Sequence, residues 1–527
     1  MLRSAVILLA IVCCCSCFAH GQSIDSSGSG PGAGPPTADD VLKKLDLLVQ
    51  QNQQLEKQNH ELMDVISSMR RSLAGDSHNP QAEALAAAVA KETPSDEGRL
   101  SPSPISSTTA TMKTGNAATG QDDQEDPAHK RWGSYTPNAG FKVVNTEHGD
   151  LNISIFTYGR YLNQRALEPT YTSAFGTVTN LQQRQDFQLL KVQMKFLGWV
   201  MDPKFRYFLY AWSSNASQGL GAQVVLAGNV SYAFKPYFIL TPGIMSLPGT
   251  RSVEGNFPFW LSVDSRLIGD EFFRPSYTAG VRASGTLRKG LTYQTMIGDN
   301  LSILGVSAAQ LPNYFQTNAT ALVWMPTTGE FGAGWGDFEN HQKLATRLAG
   351  HFTYSKENTQ SQPNVDEFEN TQLRLSDGSI IFTPGLFGPG IVVKTAVYKM
   401  ASVDFGLKYH GLALEGEYYP LHRLSNFTGP GTSVVRPNTD WGYQLQFSAM
   451  LKPKTLQAYF GGSEVIGDYG RPWDFRTGLN FFPFHNRVVR SNTEFLYLYR
   501  SPVGYPSVPF AFGGTGPIFH TNLELAF

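Results

Sequence analysis

The last nine residues, Phe519-His520-Thr521-Asn522-Leu523-Glu524-Leu525-Ala526-Phe527, constrain the fold of this chain more than any other stretch. Phe519, Thr521, Leu523, Leu525 and Phe527 share one face of an extended strand, while His520, Asn522 and Glu524 take the other, because successive strand side chains point to opposite sides. A strand greasy on one side, wet on the other and closed by an aromatic suits the wall of a transmembrane β-barrel. An edge strand of a soluble sheet alternates in the same way. The remainder of the chain has to decide between them.

The N-terminus reads as a secretory leader over residues 1–21, with Arg3 before the apolar Ala5 to Val12 and small residues Ala19 and Gly21 at the expected cleavage point. Cys13, Cys14, Cys15 and Cys17 all lie inside it. The mature chain is therefore expected to hold no disulfide, thiolate metal site or cysteine nucleophile. The residues before these cysteines fit a lipoprotein signal poorly. No later stretch reaches about 20 apolar residues, so residence in a membrane requires a barrel.

Residues 22–36 are rich in Gly, Ser and Pro and read as a flexible lead. The spacing then predicts a helix over 37–75. Its apolar positions step by three and four through Leu45, Leu48, Leu55, Leu62, Ile66 and Met69, with Asn52 and Asn59 in the same seam. This is a heptad of a parallel coiled coil, roughly 50 Å long at about 1.5 Å per residue. Buried Asn in the seam fixes register and is compatible with two or three strands. An amphipathic helix lying on another part of the protein is the alternative. Residues 76–140, poor in large apolar groups, read as a disordered linker.

From about residue 141 aromatics become dense and segments of alternating polarity recur. Lys191, Gln193 and Lys195 alternate with Val192, Met194 and Phe196, and Gln444 and Gln446 with Tyr443, Leu445 and Phe447. Short turns such as Lys235-Pro236 and His410-Gly411 alternate with long loops, as in outer-membrane barrels. The expected fold is all-β: a transmembrane barrel of about sixteen antiparallel strands over 141–527, preceded by the α-helical coiled coil. Pro326 to His341 stands where a short turn is expected. A sandwich or propeller is the soluble alternative, without a repeat of blade length to support it.

The charge balance is mild. Residues 1–140 hold 11 Lys and Arg against 16 Asp and Glu, leaving 31 against 27 for 141–527. Nothing resembles a nucleic-acid module, a P-loop, a zinc-protease helix or a nucleophile elbow, and the histidines lack ligand spacing. The expected class is a conduit, neither an enzyme nor a cofactor protein. The loop over about 244–276 is the candidate selective element. It carries Arg251, Arg266 and Arg274 with Glu254, Asp264, Asp270 and Glu271, and also Phe257, Phe259, Trp260, Phe272 and Phe273. So many exposed aromatics would be costly, which predicts that the loop folds into the lumen; packing against a neighbouring protomer is the alternative. Arg160, Lys191, Lys195, Arg206, Arg282, Arg347 and Arg476 fall on the polar side of their strands, and so do Glu415 and Glu417.

Tyr158-Gly159-Arg160, Phe272-Phe273-Arg274-Pro275-Ser276-Tyr277-Thr278, Gly406-Leu407-Lys408-Tyr409 and Glu415-Gly416-Glu417-Tyr418-Tyr419 resemble the phosphate-selective porin O and P family of Gram-negative outer membranes. The terminal strand, with Phe519, Leu523, Leu525 and Phe527, resembles the signal read by the barrel-assembly machinery. The resemblance implies a homotrimer of sixteen-stranded barrels in outer-membrane lipid, with the third loop folded inward and a basic lumen. Some members with an N-terminal coiled coil look like dicarboxylate pores. A balance of +4 over residues 141–527 is sparse for a phosphate pore, so small organic anions are the expected solutes. A structural anchor whose coil grips peptidoglycan is the rival expectation.

Overall fold

The computed structural model describes residues 135–527 apart from 137–138, 215–222, 255–256, 304–305, 307–309, 312–314, 333, 363–372 and 506. The expected leader, coiled coil and almost all of the linker lie outside the described residues.

Sixteen strands form the wall. They are β1 (Gly149–Asn163), β2 (Gln185–Val200), β3 (Asp202–Ser214), β4 (Gln223–Lys235), β5 (Phe238–Ser246) and β6 (Tyr277–Arg288). The middle of the wall is β7 (Leu291–Gly298), β8 (Thr317–Trp324), β9 (Ala345–Asn358), β10 (Thr395–Tyr409) and β11 (Leu412–Thr428). It ends with β12 (Asn438–Lys452), β13 (Leu456–Ile466), β14 (Trp473–Phe481), β15 (Val489–Tyr499) and β16 (Gly516–Ala526). Each pairs antiparallel with the next, and β16 pairs with β1 from Phe519↔Asn163 to Ala526↔Phe156, closing the cylinder. Closure leaves every wall strand with two partners, so no edge is open to aggregation. Among the described residues no helix is long and apolar enough to cross a membrane.

The seam has a further device. A short strand, Gly140–Thr146, pairs with the start of β1 from Phe141↔Ile153 to Thr146↔Gly149. It covers the part of β1 that β16 does not reach. Between the two, Phe527 and Ile155 exchange backbone hydrogen bonds of 2.7 and 2.9 Å. The Phe527 ring lies 5.3 Å from that of Phe141.

Alternation decides which way each strand faces. Along β12, Asp440, Gly442 and Gln444 are buried inside while Trp441, Tyr443 and Leu445 point out. On β16, His520, Asn522 and Glu524 face inward, and Phe519 and Leu523 outward. The inner face of β3 is different: Phe208, Tyr210 and Trp212 point into the lumen, and Tyr210 stacks on Trp212 at 5.1 Å.

One rim carries the tight connections and the other the long loops. The exception is the segment between β8 and β9. A tight turn is expected there, yet residues 325–344 form a long insert from the short-turn rim. Phe331, Trp335 and Phe338 are buried within it. Its apolar and small residues make sense only as a segment packed inside the wall.

Candidate functional site

The lumen is crossed by the loop over residues 247–276, which leaves the wall after β5 and returns at β6. Its short helix α1 (Ile268–Phe273) docks on the opposite side of the cylinder. There the Ile268 amide donates to Asp474 at 3.3 Å and the Gly269 amide to Ser463 Oγ at 2.8 Å. Phe273 stacks on Tyr419 with ring centroids 4.4 Å apart, and Tyr398 donates its hydroxyl to the Phe273 carbonyl. Of the aromatics that looked too costly for an exposed loop, Phe259, Trp260, Phe272 and Phe273 are buried and Phe257 is partly buried.

Cations on the wall hold this loop. Arg160 on β1 donates to the Val263 carbonyl at 3.0 Å and to Asn522 at 2.9 Å. Lys191 on β2 pairs with Asp264 at 2.8 Å, and Tyr158 donates to the same carboxylate at 2.9 Å. Arg347 on β9 bridges Glu254 of the loop and Asp404 of β10, each at 2.6 Å. Arg476 on β14 donates to the Arg266 carbonyl at 2.5 Å and pairs with Asp474 at 3.2 Å. Lys195 lies farther off, its Nζ 6.0 Å from the Phe257 ring centroid. Arg282 reaches Gln294 at 3.5 Å on β7, and Arg206 sits at the short-turn rim, donating to the Pro203 carbonyl. Those two stand apart from the loop's docking points.

The loop's own arginines are matched as well. Arg251 pairs with Glu415 on β11 and lies over Trp335 at 4.4 Å. Arg266 and Arg274 converge on Glu271. Burial works to raise the Glu271 carboxyl, but Arg274 and then Arg266 outweigh it and hold it at about 2. Asp270 beside it goes the other way, raised by burial and by the Glu271 charge.

Between loop and wall a small cavity of about 40 Å³ persists, lined by Lys191, Arg266 and Arg274 with Trp212, Phe257 and Tyr277. At about 10–15 Å³ per water it has room for roughly three waters or one small ion. Gln193 Oε1, buried against it, has no hydrogen-bond partner among the described residues. The charged side chains lining this cavity are cations, each also paired with Asp264 or Glu271, and rings fill the space between them.

The insert between β8 and β9 meets the loop from below. The Trp335 amide donates to the Phe259 carbonyl at 2.8 Å, and the Gly336 amide to Glu415 at 2.7 Å. Arg251 and Lys408 both donate to the Gly334 carbonyl, at 3.1 and 2.9 Å. Gly334 adopts φ of 74°, and a Cβ there would lie 2.2 Å from the Phe259 carbonyl oxygen, so only glycine fits this approach. At the insert's outer end His341 bonds Asp337 and lies 3.2 Å from Glu330. Burial opposes the charge on His341, but these two carboxylates raise it to about 9.

Two groups bring metal-ligating atoms together. In Glu254, His351 and Asp404 the positive charge is already supplied by Arg347, which bonds both carboxylates. In Asp337, Glu339 and His341 both ring nitrogens of the histidine face carboxylates, which an imidazolium satisfies without an ion.

Sequence reading named Arg251, Arg266 and Arg274 as site residues, but not Trp212, Tyr277 and Arg490. Arg490 pairs with Glu524 and donates to the Trp260 carbonyl at 2.6 Å. Its place on the polar side of β15, with Asn492 and Glu494, was the available signal. For the insert, the signal was the aromatic and glycine content of a connection expected to be tight.

No family model matches the chain, and no curated protein is similar to it. Solved structures are. The anion-selective porin from Comamonas acidovorans matches at 8% identity and a TM-score of 0.43, over 72% of this chain and 100% of that one. The outer membrane channel DcaP of Acinetobacter baumannii matches at 7% and 0.44, over 74% and 100%. Salmonella typhi OmpF matches at 11% and 0.42, over 73% and 100%. These structural neighbours are outer-membrane porins. At such identities and scores the likeness carries nothing about solute or assembly.

Proposed function

We propose that this chain is an outer-membrane porin through which small hydrophilic anions diffuse passively. The observation that carries the reading is the cavity between the crossing loop and the wall, where Lys191, Arg266 and Arg274 stand against two carboxylates, Asp264 and Glu271, inside a closed cylinder. The cylinder's outer face is apolar, as lipid requires. A constriction with an excess of one sign, walled by low-dielectric rings, raises the local concentration of the opposite ion. The short-turn rim, where both ends of the barrel segment lie, faces the periplasm, with the coil and linker beyond it. The solutes are small organic acids or phosphate-like anions, the working assembly is a homotrimer, and the terminal strand ending in Phe527 is what the barrel-assembly machinery reads.

Recordings in planar bilayers test this. Purified protein should give discrete conductance steps and a reversal potential favouring chloride over potassium. Lys191→Gln combined with Arg266→Gln should lower that preference several-fold, while Arg206→Gln at the rim should change it little. An unaltered reversal potential in the double variant removes the constriction assignment.

The second insert supports a rival. With the lumen entered from both rims, the barrel suits a plugged anchor whose coil holds the cell wall. Silence in bilayers, together with sedimentation with peptidoglycan that depends on residues 37–75, would favour that reading.

A further inference from the structure

We infer that the outer wall carries a phospholipid site on β6 to β10 at the short-turn end. The outward face of β9 runs Thr346, Leu348, Gly350, Phe352 and Tyr354, with Leu344 just before it. Gly350 breaks this row of large side chains, and a Cβ built there meets nothing within 4 Å. The gap opens into a groove of about 450 Å³ bounded by Leu291, Leu322, Trp324, Leu348, Val403 and Arg288. That is many times the share of a single water, about 30 Å³. It is apolar along its length, so water would fill it at a cost and a hydrocarbon chain would not.

Charge identifies the occupant. The groove ends at the tight turn between β6 and β7, where Arg288 and Lys289 are both exposed. Arg288 makes no ion pair or side-chain hydrogen bond recorded among the described residues. A cation at the aqueous rim leading into an apolar slot matches a molecule with an anionic head and a long tail. In the leaflet at this rim that molecule is a glycerophospholipid, its phosphate on Arg288 and one acyl chain laid over Gly350. Basic residues at a membrane surface favour such headgroups, and guanidinium forks suit phosphate oxygens. The inference rests on the membrane orientation proposed above, not on conduction of any solute.

The test uses the full mature protein, exchanged into mild detergent and examined by native mass spectrometry with added phosphatidylglycerol. The wild type should keep one phospholipid per chain through exchange. Gly350→Leu, which fills the slot, should lower that occupancy about tenfold, and Arg288→Gln should lower it less while leaving the barrel intact. Gly159→Leu is the control, because Gly159 on β1 also faces outward with nothing within 4 Å of its Cβ. Equal occupancy in wild type and Gly350→Leu overturns the site. So does a change of subunit number in Gly350→Leu with lipid unchanged, which would make the groove a contact between copies. Conductance measured on the same samples separates failure of this site from failure of the porin reading.

Discussion

A guanidinium 2% exposed inside a barrel, as Arg476 is, has to be met by acceptors. Asp474, Glu494 and two loop carbonyls meet its two terminal nitrogens here, while Nε has no hydrogen-bond partner among the described residues. Arg476→Ala would leave two buried carboxylates without their cation, and such uncompensated charge costs about 3–5 kcal/mol. Urea unfolding of the variant in detergent should show a loss of that order, and Arg476→Lys a smaller one because a point charge cannot serve four acceptors. Glu271 gives the pH sign at the same scale. Its folded value near 2 lies below its ordinary 4.5, so the stabilisation it supplies is complete above about 4.5 and is lost as pH falls toward 2. Conductance should therefore stay level from neutral pH down to about 3, then change as pH approaches 2 and the loop loses its tie to Arg266 and Arg274. A change centred near neutrality would assign it to another group. Such pairings are invisible in a sequence: the polar side of each strand is legible, but whether Arg347 faces water or Glu254 depends on where a loop a hundred residues away comes to rest.

Among the elements, the two lumen inserts differ in how far the sequence exposed them. The loop after β5 was legible because aromatics mixed with charges have no stable place on an exposed loop. The β8–β9 insert defeated a rule that is sound for most tight connections, and the tertiary packing of Phe331, Trp335 and Phe338 overrode it. Replacing residues 328–342 by a two-residue turn should raise single-channel conductance, because the lumen would then be entered from one rim only. Equal conductance would mean that the path runs elsewhere. The insert is also tied by His341 between Asp337 and Glu330. The folded value near 9 exceeds the ordinary 6.5, so this tie is complete below 6.5 and disappears as pH rises through 9. Protection of the amides in 328–342, taken relative to the intrinsic base-catalysed rate, should fall across that window, and His341→Gln should abolish that fall.

For the barrel, closure is the decisive event, and Phe527 extends the pairing that makes it. Phe527 bonds Ile155 through its backbone and meets Phe141 with its ring, so it joins β16 to the strand that completes β1. Phe527→Ser should reduce the heat-modifiable fraction on cold SDS gels several-fold, and Phe527→Tyr should retain it. The sequence alone determined that this is a wall of about sixteen strands with one wet and one greasy face, because a period of two is a local property of the chain and each tight turn is written in a few residues. It pointed to one candidate loop for the lumen and to the polar side of each strand as the place of the cations. What only the tertiary structure decided is which of those cations end in ion pairs, that a second segment fills the lumen from the other rim, and that β3 turns aromatics inward. Those outcomes follow from packing between segments far apart in the chain, where the partner that neutralises a charge or covers a ring is chosen by the shape of the closed cylinder.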